Sequence, residues 1–189
     1  MDDRWNDIVA AVESSDSDRV NDALEEIKSM DRDERVRLFD AGFEDLTEIY
    51  AESDDGYVRQ STVRITEQFV PGAAIEFLVA DNPEMADQLS QQVDAICGFA
   101  LEAIEDEDGR VRNSTKRALK DVYRSYDGLG DDETIEALVA ELESMAEDAP
   151  DDRRKHLLET KEDAEFFLQP AGTRLVSGLE RIMERSRDR

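Results

Sequence analysis

The sequence predicts an all-α stack of paired helices. The stretch from Asp55 to Arg64, DGYVRQSTVR, returns as DGRVRNSTKR from Asp108 to Arg117, with seven of ten positions identical. In each copy the apolar or small residues step by four, three and four, the spacing of one helix face. They are Val58, Thr62, Ile65 and Phe69 in the first copy, and Val111, Thr115, Ala118 and Val122 in the second. Strand-like alternation of apolar and polar residues appears nowhere in the 189 residues.

The remaining helices follow in chain order. Trp5, Ile8, Val9 and Val12 form a first amphipathic face. A weaker copy of the repeated phrase, SDSDRVNDALEEI, places Val20, Leu24 and Ile27 on a second face. Val36, Phe39, Phe43, Leu46 and Tyr50 precede the copy at Asp55. Met85, Leu89, Val93, Ile96 and Ala100 precede the copy at Asp108, and Asn82-Pro83 opens that helix as a cap followed by proline at the first helical position. Ile135, Leu138, Val139 and Leu142 begin a fourth pair, which DDRRKHLLETKEDAEFFL completes. Leu175, Val176, Leu179, Ile182 and Met183 predict a last helix that caps the stack or docks a partner. Capping is favoured, because terminal repeats must close the core. Helix pairs repeated about every 40–50 residues cannot bury their apolar faces alone and so must stack.

The phrase EDEDGRVRNSTKRAL resembles the second-helix motif of HEAT repeats, in particular the short subclass found in phycobilin-lyase-like proteins. That motif carries acids five and three positions before a Val-Arg pair. Asp106, Asp108, Val111 and Arg112 match it, and Asp55, Val58 and Arg59 match with Ser53 in place of the first acid. Asn21 stands for the Arg in the N-terminal copy, and Arg154 stands for the Val in the fourth. The resemblance implies a right-handed α-α superhelix, a HEAT-like solenoid of about four helix pairs plus a C-terminal helix, with residues 1–189 as a single domain. It also implies that Asp106, Arg59 and Arg112 form a structural ladder between adjacent repeats. The second helices would line a concave, ligand-holding side.

Charge sets the chain apart. Forty-nine acids against 23 bases leave a net −26, and only five of the bases are Lys. Repulsion on this scale opposes a compact state in dilute buffer. Salt shortens the screening length from ~10 Å at 0.1 M to ~3 Å at 1 M and removes most of that cost. The acids are spread along the chain among periodic apolar residues, unlike an acidic disordered tail. The composition resembles that of halophilic archaeal proteins, so less helix or a lower melting temperature is expected at 0.1 M salt than at 2 M.

Several chemistries are excluded or disfavoured. The sole cysteine, Cys97 in DAICGFALEAI, allows neither an internal disulfide nor a Cys-based zinc cluster. The sole histidine, His156, excludes a multi-His metal site. Asp106, Asp108, Gly109 and Val111 fit parts of a calcium loop, but Ile104 and Thr115 stand where its first and last acids belong. Helix capping accounts for those acids, so no metal is assigned. No phosphate-binding glycine motif occurs, and DGLGDD from Asp127 to Asp132 is expected to be a turn between repeats. No catalytic or cofactor-binding residue is assigned. The start, MDDRWNDIVAAV, lacks a signal-like apolar run, and no stretch approaches 18 apolar residues, so a cytoplasmic protein without membrane association is expected.

One surface remains as a candidate site. At 100° per residue from Val111, Lys116, Arg117, Lys120 and Arg124 fall opposite the apolar stripe, with Tyr123 at its border. Arg64 takes the related place on the preceding repeat. The expected function is a non-enzymatic adaptor that holds an acidic or phosphorylated protein segment on its concave face through these six residues. The alternatives are nucleic-acid association through helix 110–124 and, by fold analogy alone, a lyase-like enzyme. Net charge opposes nucleic acid, and high salt would erode phosphate contacts steeply.

Overall fold

Side-chain caps and apolar spacing together set the helix boundaries in the computed structural model, which describes residues 3–82, 85–170 and 173–174. α1 (Asp3–Glu13) buries Trp5, Ile8, Ala11 and Val12. α2 (Ser17–Ser29) starts where Asp16 accepts from the Asp18 and Arg19 amides. α3 (Arg32–Glu52) starts where Asp31 accepts from the Glu34 amide at 2.9 Å. An aspartate in this position satisfies amides that the first helical turn leaves without partners.

The repeated phrase is itself a cap. Asp55 accepts from the Tyr57 amide to start α4 (Gly56–Glu67), and Asp108 accepts from the Arg110 amide to start α7 (Gly109–Leu129), each at 2.8 Å. Behind the caps, Val58 and Val111 are both buried. Thr62 and Thr115 donate to the carbonyls of those valines at the same distance, 3.0 Å. The two copies therefore share a geometry as well as a phrase.

Between them the chain departs from the repeat. A 3-10 turn (Gly72–Ala74) and a short α5 (Ile75–Asp81) pack against α7, and the Gly72 amide donates to Ser125 Oγ at 2.9 Å. α6 (Ala86–Ala103) begins after Met85. Asn82, expected to open that helix, instead ends α5, and Pro83 lies outside the described residues. The DGLGDD turn is also shorter than expected. α7 runs on through Leu129, and Gly130, at φ 73°, provides the left-handed residue that stops it. α8 (Asp132–Asp148) and α9 (Asp151–Phe167) complete the set.

The pairs α1/α2, α3/α4, α6/α7 and α8/α9 are stacked in chain order. Successive second helices pack on one another, α2 on α4, α4 on α7 and α7 on α9. Among first helices, α1 meets α3 where Gly42 passes under the Trp5 indole, so closely that a side chain there would overlap the ring. Phe99 of α6 lies edge-on to Phe43 and Tyr50 of α3. The main apolar core runs from Trp5 to Phe167, and a smaller cluster holds Val63, Phe99, Ala103 and Val111. The described residues are all-helical with no strand, in a solenoid-like arrangement. The expected helix carrying Leu175 to Met183 lies outside the described residues.

Candidate functional site

The second-helix layer carries two kinds of polar junction. The first joins α4 to the turn before α7. Arg59 donates from Nε and Nη2 to the two oxygens of Asp106, at 2.8 and 3.1 Å, and from Nη1 to the Ser53 carbonyl at 2.9 Å. Tyr50 and the Asp108 amide add bonds of 2.7 Å each, so each carboxylate oxygen of Asp106 accepts two. Burial alone would raise the Asp106 carboxyl, but the Arg59 and Tyr50 bonds outweigh it and hold the group below its ordinary range. Burial, and then the bond to Asp106, push the Tyr50 hydroxyl well above its usual value.

Arg112 repeats the pattern one unit on. It donates to the Asp106 and Glu107 carbonyls at 2.6 and 2.9 Å and reaches Asp152 of α9 at 3.2 Å. Arg154 belongs to the same series, bonding the Ala146 and Glu147 carbonyls before its own helix. It occupies the place of Arg112, four residues into the helix, rather than that of Val111. The sequence register of the fourth copy was therefore off by one.

The second junction is the basic face. Lys116 pairs with Glu159, and Lys120 with Asp163 at 3.0 Å, both partners on α9. Arg124 pairs with Asp121 of its own helix. Lys116 and Lys120 thus line the α7–α9 seam, and all three bases are already matched by carboxylates. Arg117 donates to Ser114 Oγ at 3.3 Å, and Arg64 to Asn21 Oδ1 at 2.8 Å. Glu67 is half-buried near both arginines but within 4.0 Å of neither. Burial raises its carboxyl, opposed first by Arg117. Tyr123 is fully buried, its ring 6.3 Å from that of Phe167, so it forms no part of an exposed surface. The physical reason is that α9 and its apolar residues cover the border where a lone helix would expose it.

Sequence reasoning placed Glu67 on this face of the second repeat but did not identify Glu159 and Asp163 as partners of its bases. The signal was present, since Lys116 and Glu159, and Lys120 and Asp163, share one sequence separation close to the repeat length. It is hard to recognise among so many acids. Elsewhere, burial and then Arg112 keep the half-buried His156 below its usual range, and burial pushes the Cys97 thiol up to about 12. Cys97 is therefore a protonated core group. Among the described residues no group of three or more His, Cys, Asp and Glu side chains is placed to hold a metal ion. None of the described helices is long and apolar enough to cross a membrane. No family model, curated protein or solved structure matches the chain.

Proposed function

We propose that the chain is a non-enzymatic adaptor of the HEAT-repeat kind, suited to a salt-loaded cytoplasm, whose second helices hold an acidic segment of a partner protein. Arg64 and Arg117 carry the proposal. In a chain with 49 acids, these two guanidiniums on neighbouring helices bond to neutral groups, Asn21 and Ser114. A guanidinium offers paired donors that match a carboxylate or phosphate. Lys116, Lys120 and Arg124 border them but give up little on exchanging one carboxylate for another. Since an exposed pair is worth only ~0–1 kcal/mol, affinity must come from both arginines converging on one segment. A phosphorylated residue would take the same donors with more charge.

The test is recovery of partners by the tagged full chain from native lysate at high salt, against an Arg64→Glu/Arg117→Glu variant. The variant should lose the partner while circular dichroism shows it still helical at the same salt concentration. Lys116→Glu with Lys120→Glu should weaken recovery less, because Glu159 and Asp163 already meet those charges. Wild-type yield from the Arg64/Arg117 variant would refute the proposal. Recovery that disappears on nuclease treatment would assign the surface to nucleic acid.

A further inference from the structure

The repeated phrase fixes how far apart Arg64 and Arg117 stand. Each is the ninth residue of its helix, counted from Gly56 in α4 and from Gly109 in α7. The two helices lie side by side in register. The Asp108 carboxylate sits against Gly56 where they start, and one turn on Gln60 Nε2 donates to Ser114 Oγ at 3.3 Å. Packed helices have axes ~8–10 Å apart, so that is also the step between the two arginine backbones.

The side chains keep this step. Arg64 leans toward α2, where Asn21 accepts its bond. Arg117 leans toward α4, because its acceptor, Ser114 Oγ, also takes the Gln60 bond. Both guanidiniums thus point toward the preceding repeat.

A partner chain that crosses the helices at this level must offer its acids at the same step. In a β-strand, side chains on one face recur every two residues, ~7 Å, which falls short, or every four, ~13 Å, which overshoots. A polyproline II segment has three residues per turn and rises ~3.1 Å per residue, so positions three apart share a face at ~9.3 Å. That spacing matches the helix step.

The surroundings limit such a segment to two acids. On one side, α2 exposes Asp22, Glu25 and Glu26. On the other, Lys116 and Lys120 are already held by Glu159 and Asp163 of α9. Glu67, near both arginines, disfavours an acid at either intervening position.

We propose that the Arg64/Arg117 surface binds a polyproline II segment carrying two acidic residues three apart, with uncharged residues between them. The proposal rests on the adaptor function and adds the spacing and backbone form of the ligand.

Four end-capped peptides, titrated into the 15N-labelled full chain, test it. PPEPPEPP, PPEPEPPP and PEPPPPEP share one composition, with acids three, two and five apart, and GSEGSEGS is a flexible control. Amide shifts are followed by NMR at the lowest salt concentration where circular dichroism shows the protein helical. PPEPPEPP should bind most tightly, and the other two proline peptides about fivefold more weakly through loss of one exposed ion pair. The control should also bind more weakly, because it must be ordered on binding. Arg64→Gln or Arg117→Gln should bring PPEPPEPP down to the affinity of its isomers, and either variant suffices if the other loses helix. Equal affinities for the three isomers, lowered alike by the variants, would overturn the spacing and leave the acidic-segment function standing. Binding by the flexible peptide alone, or tightest binding by another isomer, would overturn the polyproline II form. No binding by any of the four would overturn both the proposal and the function it rests on.

Discussion

The α4–α7 and α7–α9 junctions are both bridged by ion pairs, yet the pairs differ in kind. Arg59 and Asp106 leave 11% and 4% of their side chains exposed, and all acceptor positions on Asp106 described above are filled. Lys120 and Asp163 leave 38% and 20% exposed and meet at a single point. A closed, buried network strongly penalises loss of one member, because the other charge is left without a partner. An exposed single contact is screened by salt and readily exchanged. The first junction therefore holds repeats together, and only a surface of the second kind can be given over to a partner.

The largest expected effect comes from opening the closed junction. Arg59→Ala should destabilise the fold by about 3–5 kcal/mol in denaturant titration, since Asp106 loses its counter-charge in a buried site. The folded-state carboxyl of Asp106 is depressed, so its contribution is present above the unfolded value of ~3.9 and lost as pH falls through the folded value. The gap between wild type and Arg59→Ala should accordingly narrow under acid. A gap that does not change with pH would show that lost packing, rather than charge, sets the cost.

A smaller effect separates the two copies of the repeated glycine. A Cβ on Gly56 would overlap the Asp108 carboxylate and lie 2.9 Å from its Cγ, whereas one on Gly109 would meet only Arg112 Nη2 at 3.6 Å. Gly56→Ala must displace the cap of α7 and should cost about 1 kcal/mol. Gly109→Ala should be neutral or stabilising by about 0.4–1 kcal/mol through reduced unfolded-state freedom. Equal effects in thermal melts would show that the two copies are not stacked as described.

The smallest effect is at the open seam. Lys120→Ala should cost ~0–1 kcal/mol at low salt, and the difference from wild type should shrink at 2 M salt. A larger, salt-resistant loss would place Lys120 and Asp163 in the structural class with Arg59.

Much of this comparison was legible in the sequence. The Val58/Val111 and Asp55/Asp108 pairs are local features, and helix periodicity with an aspartate cap specifies them without reference to the rest of the chain. Arg59 and Asp106 were expected as a ladder only through the resemblance to HEAT repeats, and the bond geometry bears that contact out. The pairing of Lys116 and Lys120 was not legible, because a helical wheel shows which residues share a face but not what lies against it. Tyr123 failed for the same reason: from one helix alone it sits at a border, and α9 buries it.

Local order in this protein is thus a matter of sequence: helix type, the starts of α2, α3, α4 and α7, and the repeat itself follow from side-chain spacing and capping within a few residues. What the tertiary structure decided are the properties that depend on neighbours distant in the chain. Stacking leaves Asp106 buried, Lys120 partnered across to α9 and Arg64 on the neutral Asn21. It also brings the insert over Gln92, whose side chain reads from sequence as an ordinary polar position. Burial and the identity of the facing residue set the energy of a charge or an amide, and both are decided only when the repeats come together.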